Sequence, residues 1–393
     1  MEKNIVILGG GFGGIRAALN LEKRLGNKKD LKIILIDQNT YHLYTASLYE
    51  VASGELSSRC ILLPYHKILK RKRIEFMNAR VSKLDPRKKT IETSSGDKIP
   101  YWKMVFALGS DTEDFGVPGV SQYAIGLKSS TDAEKIYQHL MHCSVTKKGV
   151  PIKVIVGGGG FSGVETAGEL TQHRKCPLQI TVVEAAPKIL PGMPDKVSKA
   201  VTRQLNFLGV KVITSSPIKE VKEDEVILAN GHVLPYDLMI WTAGVRGSRF
   251  IDTKVFELDK KKALVVNKHL QVKGFNDIFA IGDAASTGVA WTATKAEEDA
   301  KVAAHNIIQL AHDGKNLRNY KVFEPPLIVP AGKRWAAAKI GKFILIGKIS
   351  SILKDFVLLY YLLTILPPIT AFRVWWGGEC EVLEIKKPET ASL

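Results

Sequence analysis

Six glycines repeat one spacing in this chain, and the chemistry they can do is to hold two phosphate-bearing ligands. Gly9, Gly11 and Gly14 stand in IVILGGGFGGIRAALNL, and Gly158, Gly160 and Gly163 in VIVGGGGFSGVETAGEL. Each GxGxxG lies between an apolar run and an amphipathic one, as a strand–turn–helix requires. In such a turn the first glycine bends the chain, the second lets the backbone approach a pyrophosphate, and the third lets helix pack on strand. The anion then sits at a helix N-terminus, where free N–H groups and the dipole favour negative charge. One GxGxxG is a weak sign. Two in one chain imply two dinucleotides held together, with electrons passing between them.

Carboxylates follow at the expected places. Asp37 closes LKIILID and Glu184 closes LQITVVE, each about 20 residues past its last glycine, where an acid accepts ribose hydroxyls. At Glu184 the charge favours NADH over NADPH, because a 2′-phosphate would meet a negative group; Lys188 stands close enough to soften that preference. Asp283 ends the apolar strand IFAIGD and aims a carboxylate at a sugar-like hydroxyl beyond the strand, or else caps the next helix. Glu165, two residues past Gly163, either relays a proton or only complements the helix dipole.

The elements that must position these groups are themselves duplicated. KIPYWKMVFALGS, ending near Gly109, matches VLPYDLMIWTAGV, which contains Gly244. Each follows short strands with turn signals, SSGDK and ANGH. The expected fold is α/β: two nested Rossmann-like dinucleotide-binding domains, each with a small antiparallel meander. The first takes residues 1–115 and 265–334, the second is inserted as residues 116–264, and residues 335–393 form a C-terminal segment.

At 393 residues the chain suits two or three domains. With a first strand at residue 4, no signal or transit peptide is expected. The net charge of +17 asks for an anionic partner or surface. The basic clusters at Lys67, Lys70, Arg71, Lys72 and Arg73, and at Lys260, Lys261 and Lys262, come without a nucleic-acid motif, so nucleic acid is not expected. Cys60, Cys143, Cys176 and Cys380 form no CxxC, so reduced buried thiols are expected rather than a redox dithiol. The nine histidines show no metal-ligand spacing, and no metal is expected.

The C-terminal run FILIGKISSILKDFVLLYYLLTILPPITAFRVWW offers an anionic membrane surface as the partner. Its uncharged part is broken by Pro367-Pro368 and falls short of the roughly 20 residues of a spanning helix. Gly347, Lys348, Ser351, Lys354 and Asp355 share one helical face, and Ile349, Ile352, Leu353 and Phe356 the other. With Trp375 and Trp376 at its end, this is the pattern of a helix lying in the membrane interface. The alternative is a hairpin buried against the protein or in a homodimer interface.

The chain resembles the type II NADH:quinone oxidoreductases, single-chain flavoproteins with two dinucleotide-binding domains. YHLYTASLYEVASGEL, FGVPGV followed by AIGLKSSTDA, WTAGV and IFAIGDAA are similar to that family's motifs and stand in its order. The resemblance implies FAD on Gly9, Gly11, Phe12, Gly13, Gly14 and Asp37, with Thr45 under the isoalloxazine, Val81 near the adenine, Gly109, and Asp283 on the ribityl chain. It implies NADH on Gly158, Gly160, Phe161, Gly163, Glu184, Ala243 and Gly244, with Glu165 near the meeting of nicotinamide and flavin. Ala293, Thr294 and Glu298 take the family's quinone-pocket positions, Thr294 replacing a glutamine; Ala46 replaces a proline in the flavin-contacting loop. The implied reaction is oxidation of NADH with two-electron reduction of a membrane quinone, without proton pumping. The enzyme would be a peripheral protein of the respiratory chain on the cytoplasmic face of the cell membrane. Two other readings stay open. A sulfide:quinone oxidoreductase needs a cysteine pair facing the flavin. An NADH-sensing flavoprotein of the apoptosis-inducing-factor type would change assembly instead of turning over.

Overall fold

The computed structural model describes residues 3–377 apart from 148, 174, 252, 253 and 333. Ile5, Val6, Ile7 and Leu8 have no exposed surface. A strand buried on both faces reads as an unbroken apolar run, and its sheet is parallel. That strand, Lys3–Leu8, is central in a five-stranded sheet ordered Ile278–Ala280, Lys103–Phe106, Lys3–Leu8, Leu31–Asp37, Glu75–Asn78, all parallel. A second parallel sheet repeats the plan: Ile125–Gly126, Leu238–Trp241, Ile152–Gly157, Leu178–Val183, Lys211–Ile213. In each, the chain leaves the central strand for one side and returns on the other. Each glycine turn therefore opens at a topological switch point, where crevices in open α/β sheets bind ligands.

Each sheet carries a three-stranded antiparallel meander: Val81–Asp85, Thr90–Thr93, Lys98–Pro100 in one half, and Ile218–Val221, Glu225–Leu228, Val233–Pro235 in the other. Strand Ile278–Ala280 completes the first sheet only after the second has been made, so the halves are nested. The two crossings between them, Ser110–Thr112 and Val245–Gly247, pair as an antiparallel strap.

Helix Phe12–Leu25 packs on helix Ala293–Ala311 through small residues. Ala300, Ala303 and Ala304 are buried there, and a Cβ on Gly13 would come 3.2 Å from the Ala296 carbonyl oxygen. Gly13 thus faces the helix behind the turn.

Strands Leu327–Pro330, Ala336–Ile340 and Phe343–Gly347 form an antiparallel sheet that leads into helices Lys348–Ile365 and Pro368–Gly377. The first of these helices packs its C-terminal half against the protein. Leu359, Tyr361, Leu362 and Ile365 are buried, and Lys354 turns inward to Tyr49 and Glu50, while Ile349 is 70% exposed and Ile352 and Phe356 more than half. Glu50, 304 residues away, supplies Lys354 with a counter-charge, which helical periodicity cannot show. No helix among the described residues is long and apolar enough to cross a membrane.

The cysteine expectation needs one correction. Cys143 and Cys176 are free, but Cys60 is disulfide-bonded; the position Cys380 lies outside the described residues.

Candidate functional site

The two glycine turns are built alike. Gly9 and Gly158 adopt left-handed φ of +94° and +110°. A Cβ on Gly14 would lie 1.8 Å from the Gly9 oxygen, and one on Gly163 1.9 Å from the Gly158 oxygen. Gly11 and Gly160, by contrast, face open space. They precede helices Phe12–Leu25 and Phe161–Leu170, neither of which has a side-chain cap. Each turn is closed where the helix must pack and open where a pyrophosphate would accept the first helical amides, so both fit a dinucleotide.

The two acids hold their turns identically. Asp37 Oδ2 accepts from the Gly10 amide at 2.6 Å and Oδ1 from the Asn39 amide at 2.8 Å. Glu184 Oε2 accepts from the Gly159 amide at 2.6 Å and Oε1 from the Ala186 amide at 2.7 Å. Each oxygen keeps a lone pair for a hydroxyl. Burial pushes the Asp37 carboxyl above its ordinary value, against the amides that pull it down. Lys188 is engaged by Asp195 Oδ1 at 2.5 Å and the Met193 carbonyl at 2.9 Å.

Gly9, Gly11, Asp37, Val81 and Gly109 line one cavity of about 970 Å³, with Arg80, Asp111 and Phe250. None of the described cysteines lines it. Thr45 opens a single turn, Thr45–Ser47, in which Thr45 and Ala46 are exposed and Ser47 is buried. In the second half Ala243 lies against the glycine turn, since a Cβ on Gly158 would meet its Cα at 2.5 Å; Gly244 lies under the Phe115 ring, 2.5 Å from a Cβ built there. Phe161 is half-buried at the start of its helix. Asp283 follows strand Ile278–Ala280, and its Oδ2 accepts from Ser110 Oγ at 2.7 Å.

Between the halves lies a cluster that sequence reasoning saw only in part. Lys354 Nζ donates to Tyr49 Oη and Glu50 Oε1, both at 2.6 Å. Glu165, on the second nucleotide helix, faces this pair. Burial raises its carboxyl to about 8, with Lys354 opposing the rise and Glu50 adding to it. Tyr44 lies in the field of three acids, Glu50, Glu165 and Glu297, and burial with their charge raises its phenol well above the ordinary value. Arg16 pairs with Glu297 and donates to Thr364 Oγ1 at 2.6 Å. The His42 ring bridges Gly10 and the C-terminal helix. Nδ1 lies 2.9 Å from the Gly10 carbonyl oxygen, so it carries the proton, and Nε2 accepts from Tyr361 Oη at 2.7 Å. Burial lowers His42 to about 4, which keeps it neutral. The Phe12 ring packs 4.9 Å from Tyr361 and 5.0 Å from His42, centroid to centroid.

Ala293 and Thr294 are half-buried in the first turn of helix Ala293–Ala311. Glu298 is not brought to the cluster: it pairs with Lys301 at 2.5 Å in an exposed ion pair. The neighbouring Glu297 is the acid that faces Arg16 and Tyr361. Glu50 had one signal in the sequence, a lone charge inside the apolar run LYEVAS, and Lys354 stands beside Asp355 as the only charges in ILKDFVLLYY.

Nested parallel sheets with one such turn each define an oxidoreductase that holds two dinucleotides. Residues 3–312 match the sequence profile of the pyridine nucleotide-disulphide oxidoreductases. The chain is 30% identical over 337 residues to the type II NADH:quinone oxidoreductase of Staphylococcus haemolyticus, covering 81% of this chain and 83% of the relative. It is 29% identical over 343 residues to that of Staphylococcus saprophyticus, covering 82% and 84%. The chain belongs to the type II NADH:quinone oxidoreductase family. Its fold matches that of NDH2 from Plasmodium falciparum in complex with NADH, with a TM-score of 0.83 at 19% identity over 96% of this chain and 99% of that one. It also matches the sulfide:quinone oxidoreductase of Aquifex aeolicus, with a TM-score of 0.76 at 22% identity over 98% and 93%.

Proposed function

We propose that this chain oxidises NADH and passes two electrons through FAD to a membrane quinone. The observation that carries the reading is the duplicated turn: two open helix starts, each held by its own ribose-type carboxylate. FAD belongs to the half whose turn opens into the large cavity, residues 1–115 and 265–334, and NADH to residues 116–264. When bound, FAD supplies the chemistry that accepts a hydride and releases electrons singly or in pairs.

The residues supply position and protons. Gly9, Gly11 and Gly14 would admit the FAD pyrophosphate, Asp37 would take the ribose, Val81 would stand on the adenine side, and Thr45, Gly109 and Asp283 would hold the rest. Gly158, Gly160 and Gly163 do the same for NADH. Glu184 repels a 2′-phosphate, and the engagement of Lys188 with Asp195 leaves that repulsion uncompensated. Glu165 is mostly protonated near neutrality and holds a proton where the halves and the C-terminal helix meet. A quinone takes up two protons when reduced, and Glu165 is placed to donate one. Ala293 and Thr294 border the quinone entrance, with Glu297 rather than Glu298 as the acid turned toward it.

The membrane side is the C-terminal segment. Ile349, Ile352, Phe356 and Tyr360 on one helix, and Ile369, Phe372 and Trp376 on the next, are all exposed. So wide an apolar patch suits insertion into a lipid interface, and the +17 charge suits an anionic one. The enzyme is then a peripheral protein on the cytoplasmic face. The test is anaerobic mixing of the flavin-loaded protein with NADH, then with a short-chain quinone. Rapid bleaching of the flavin, with recovery only on quinone, is expected. No bleaching by NADH would end the proposal.

A further inference from the structure

Helix Ala293–Ala311 carries a charge pair with no exposed surface at all, Lys295 and Asp299, whose Nζ and Oδ2 lie 2.6 Å apart. Replacing a buried ion pair with apolar side chains is often neutral or stabilising, so stability alone does not account for it. Its remaining hydrogen bonds do. Both polar backbone atoms of one residue, Gly282, are claimed by the pair. The Gly282 amide donates to Asp299 Oδ2 at 2.9 Å, and its carbonyl accepts from Lys295 Nζ at 2.7 Å. Gly282 has a left-handed φ of +64°, and a Cβ there would meet the Ala296 Cβ at 3.2 Å. The other carboxylate oxygen, Asp299 Oδ1, is buried outside hydrogen-bond geometry, with the buried Tyr320 hydroxyl close enough to act on the carboxyl, so the close contacts of the group are those to Lys295 and Gly282.

The next residue is Asp283. Its side chain is steered from the far side by Ser110 Oγ, which in turn accepts from Lys128 Nζ at 2.9 Å. The backbone before Asp283 is therefore fixed by one helix and its carboxylate by the strap between the halves. We propose that Lys295 and Asp299 are positioning residues: they clamp Gly282 so that Asp283 stands ready for the ribityl hydroxyls of FAD before FAD arrives. The same helix begins at Ala293-Thr294, so the clamp also fixes the acceptor-side helix start relative to the flavin. This rests on the assignment of Asp283 to FAD.

Two double variants of the full-length chain separate the contacts from the charges. Lys295→Gln with Asp299→Asn keeps an amide donor for the Gly282 carbonyl and an oxygen for its N–H. Lys295→Met with Asp299→Leu removes both. FAD affinity, measured by flavin fluorescence, should fall at least about tenfold in the apolar pair and stay within about threefold of the parent in the amide pair. Amide hydrogen exchange in the FAD-free protein should speed up at residues 278–286 in the apolar pair, with strand Lys3–Leu8 unchanged. An apolar pair that binds FAD as the parent does, with unchanged exchange at 278–286, overturns the proposal. Equal loss of affinity in both pairs overturns it too, because the charges and not the Gly282 contacts would then be at work. Should either variant lose structure, exchange at strand Lys3–Leu8 reveals it, and the single variant Lys295→Gln is read in its place. Asp283→Asn tests the assignment beneath: unaltered FAD affinity there removes Asp283 as a ligand, while the exchange result still decides whether the clamp exists.

Discussion

Glu165 gives the sharpest prediction. Its carboxyl is raised from 4.5 to about 8, by burial first, with Lys354 pulling down and Glu50 pushing up. One unit below its pKa an acid is about nine-tenths protonated and one unit above it about one-tenth, so near pH 7 Glu165 can donate and well above pH 8 few copies can. The rate of quinone reduction should be flat up to about pH 7 and fall about tenfold per unit well above pH 8. Glu165→Gln should remove that limb and lower the rate by roughly a hundredfold. Lys354→Met, by removing the cation, should move the limb up by about one unit, and Glu50→Gln should move it down by a similar amount. The assay is turnover with a short-chain quinone from pH 5.5 to 9.5, beside single-turnover reduction of the flavin by NADH, which should not show the limb. Linkage gives a second readout. An acid whose folded pKa is raised stabilises the folded state less as pH climbs from 4.5 through 8. The parent's thermal midpoint should therefore fall across that window more than that of Glu165→Gln. A Glu165→Gln enzyme that keeps the alkaline limb in place would refute the assignment of the proton to this residue.

Other outcomes follow from the same geometry. Gly163→Ala puts a Cβ 1.9 Å from the Gly158 oxygen, so flavin reduction by NADH should collapse while flavin content holds; Gly14→Ala should instead yield flavin-free protein, read from the visible spectrum. Tyr361→Phe removes the hydroxyl bonded to His42 and should cost about 1 kcal/mol in a denaturant titration. His42 is lowered to about 4, so the stability tied to its neutral form should be present above pH 6.5 and drain away as pH falls through 4; His42→Gln should blunt that loss. Ile352→Lys with Phe356→Lys should cut binding to anionic vesicles at least about tenfold and leave NADH oxidation with a soluble quinone within twofold, and unchanged sedimentation with vesicles would count against the lipid-facing surface.

The parts legible in the sequence are those written in local patterns. Glycine spacing placed both turns, because tight bends and close packing need glycine at fixed offsets. The matching KIPYW and VLPYD segments revealed the repeated sheets, because each leads into the strand that pairs beside the central strand of its own sheet. The cluster around Glu165 was only half visible. Glu165 lies beside the glycine motif, but its partners Glu50 and Lys354 come from elements far apart, and an ion pair across 304 residues has no periodicity. The choice between Glu297 and Glu298 depends on which side of the helix meets Arg16, which spacing from a family motif cannot settle. The inward turn of Lys354 was hidden for the same reason.

One helix near the C-terminus therefore does two jobs on opposite sides. Its inner side is tied to the flavin-proximal half at Glu50, Arg16 and His42, and its outer side is bare Ile349, Ile352, Phe356 and Tyr360. Anyone seeking a detergent-free version by trimming the tail would take away a wall of the reaction chamber along with the sticky surface. Recolouring the outer side chains with polar ones, and sparing Lys354, Tyr361 and Thr364, should leave a soluble enzyme whose chamber is still closed.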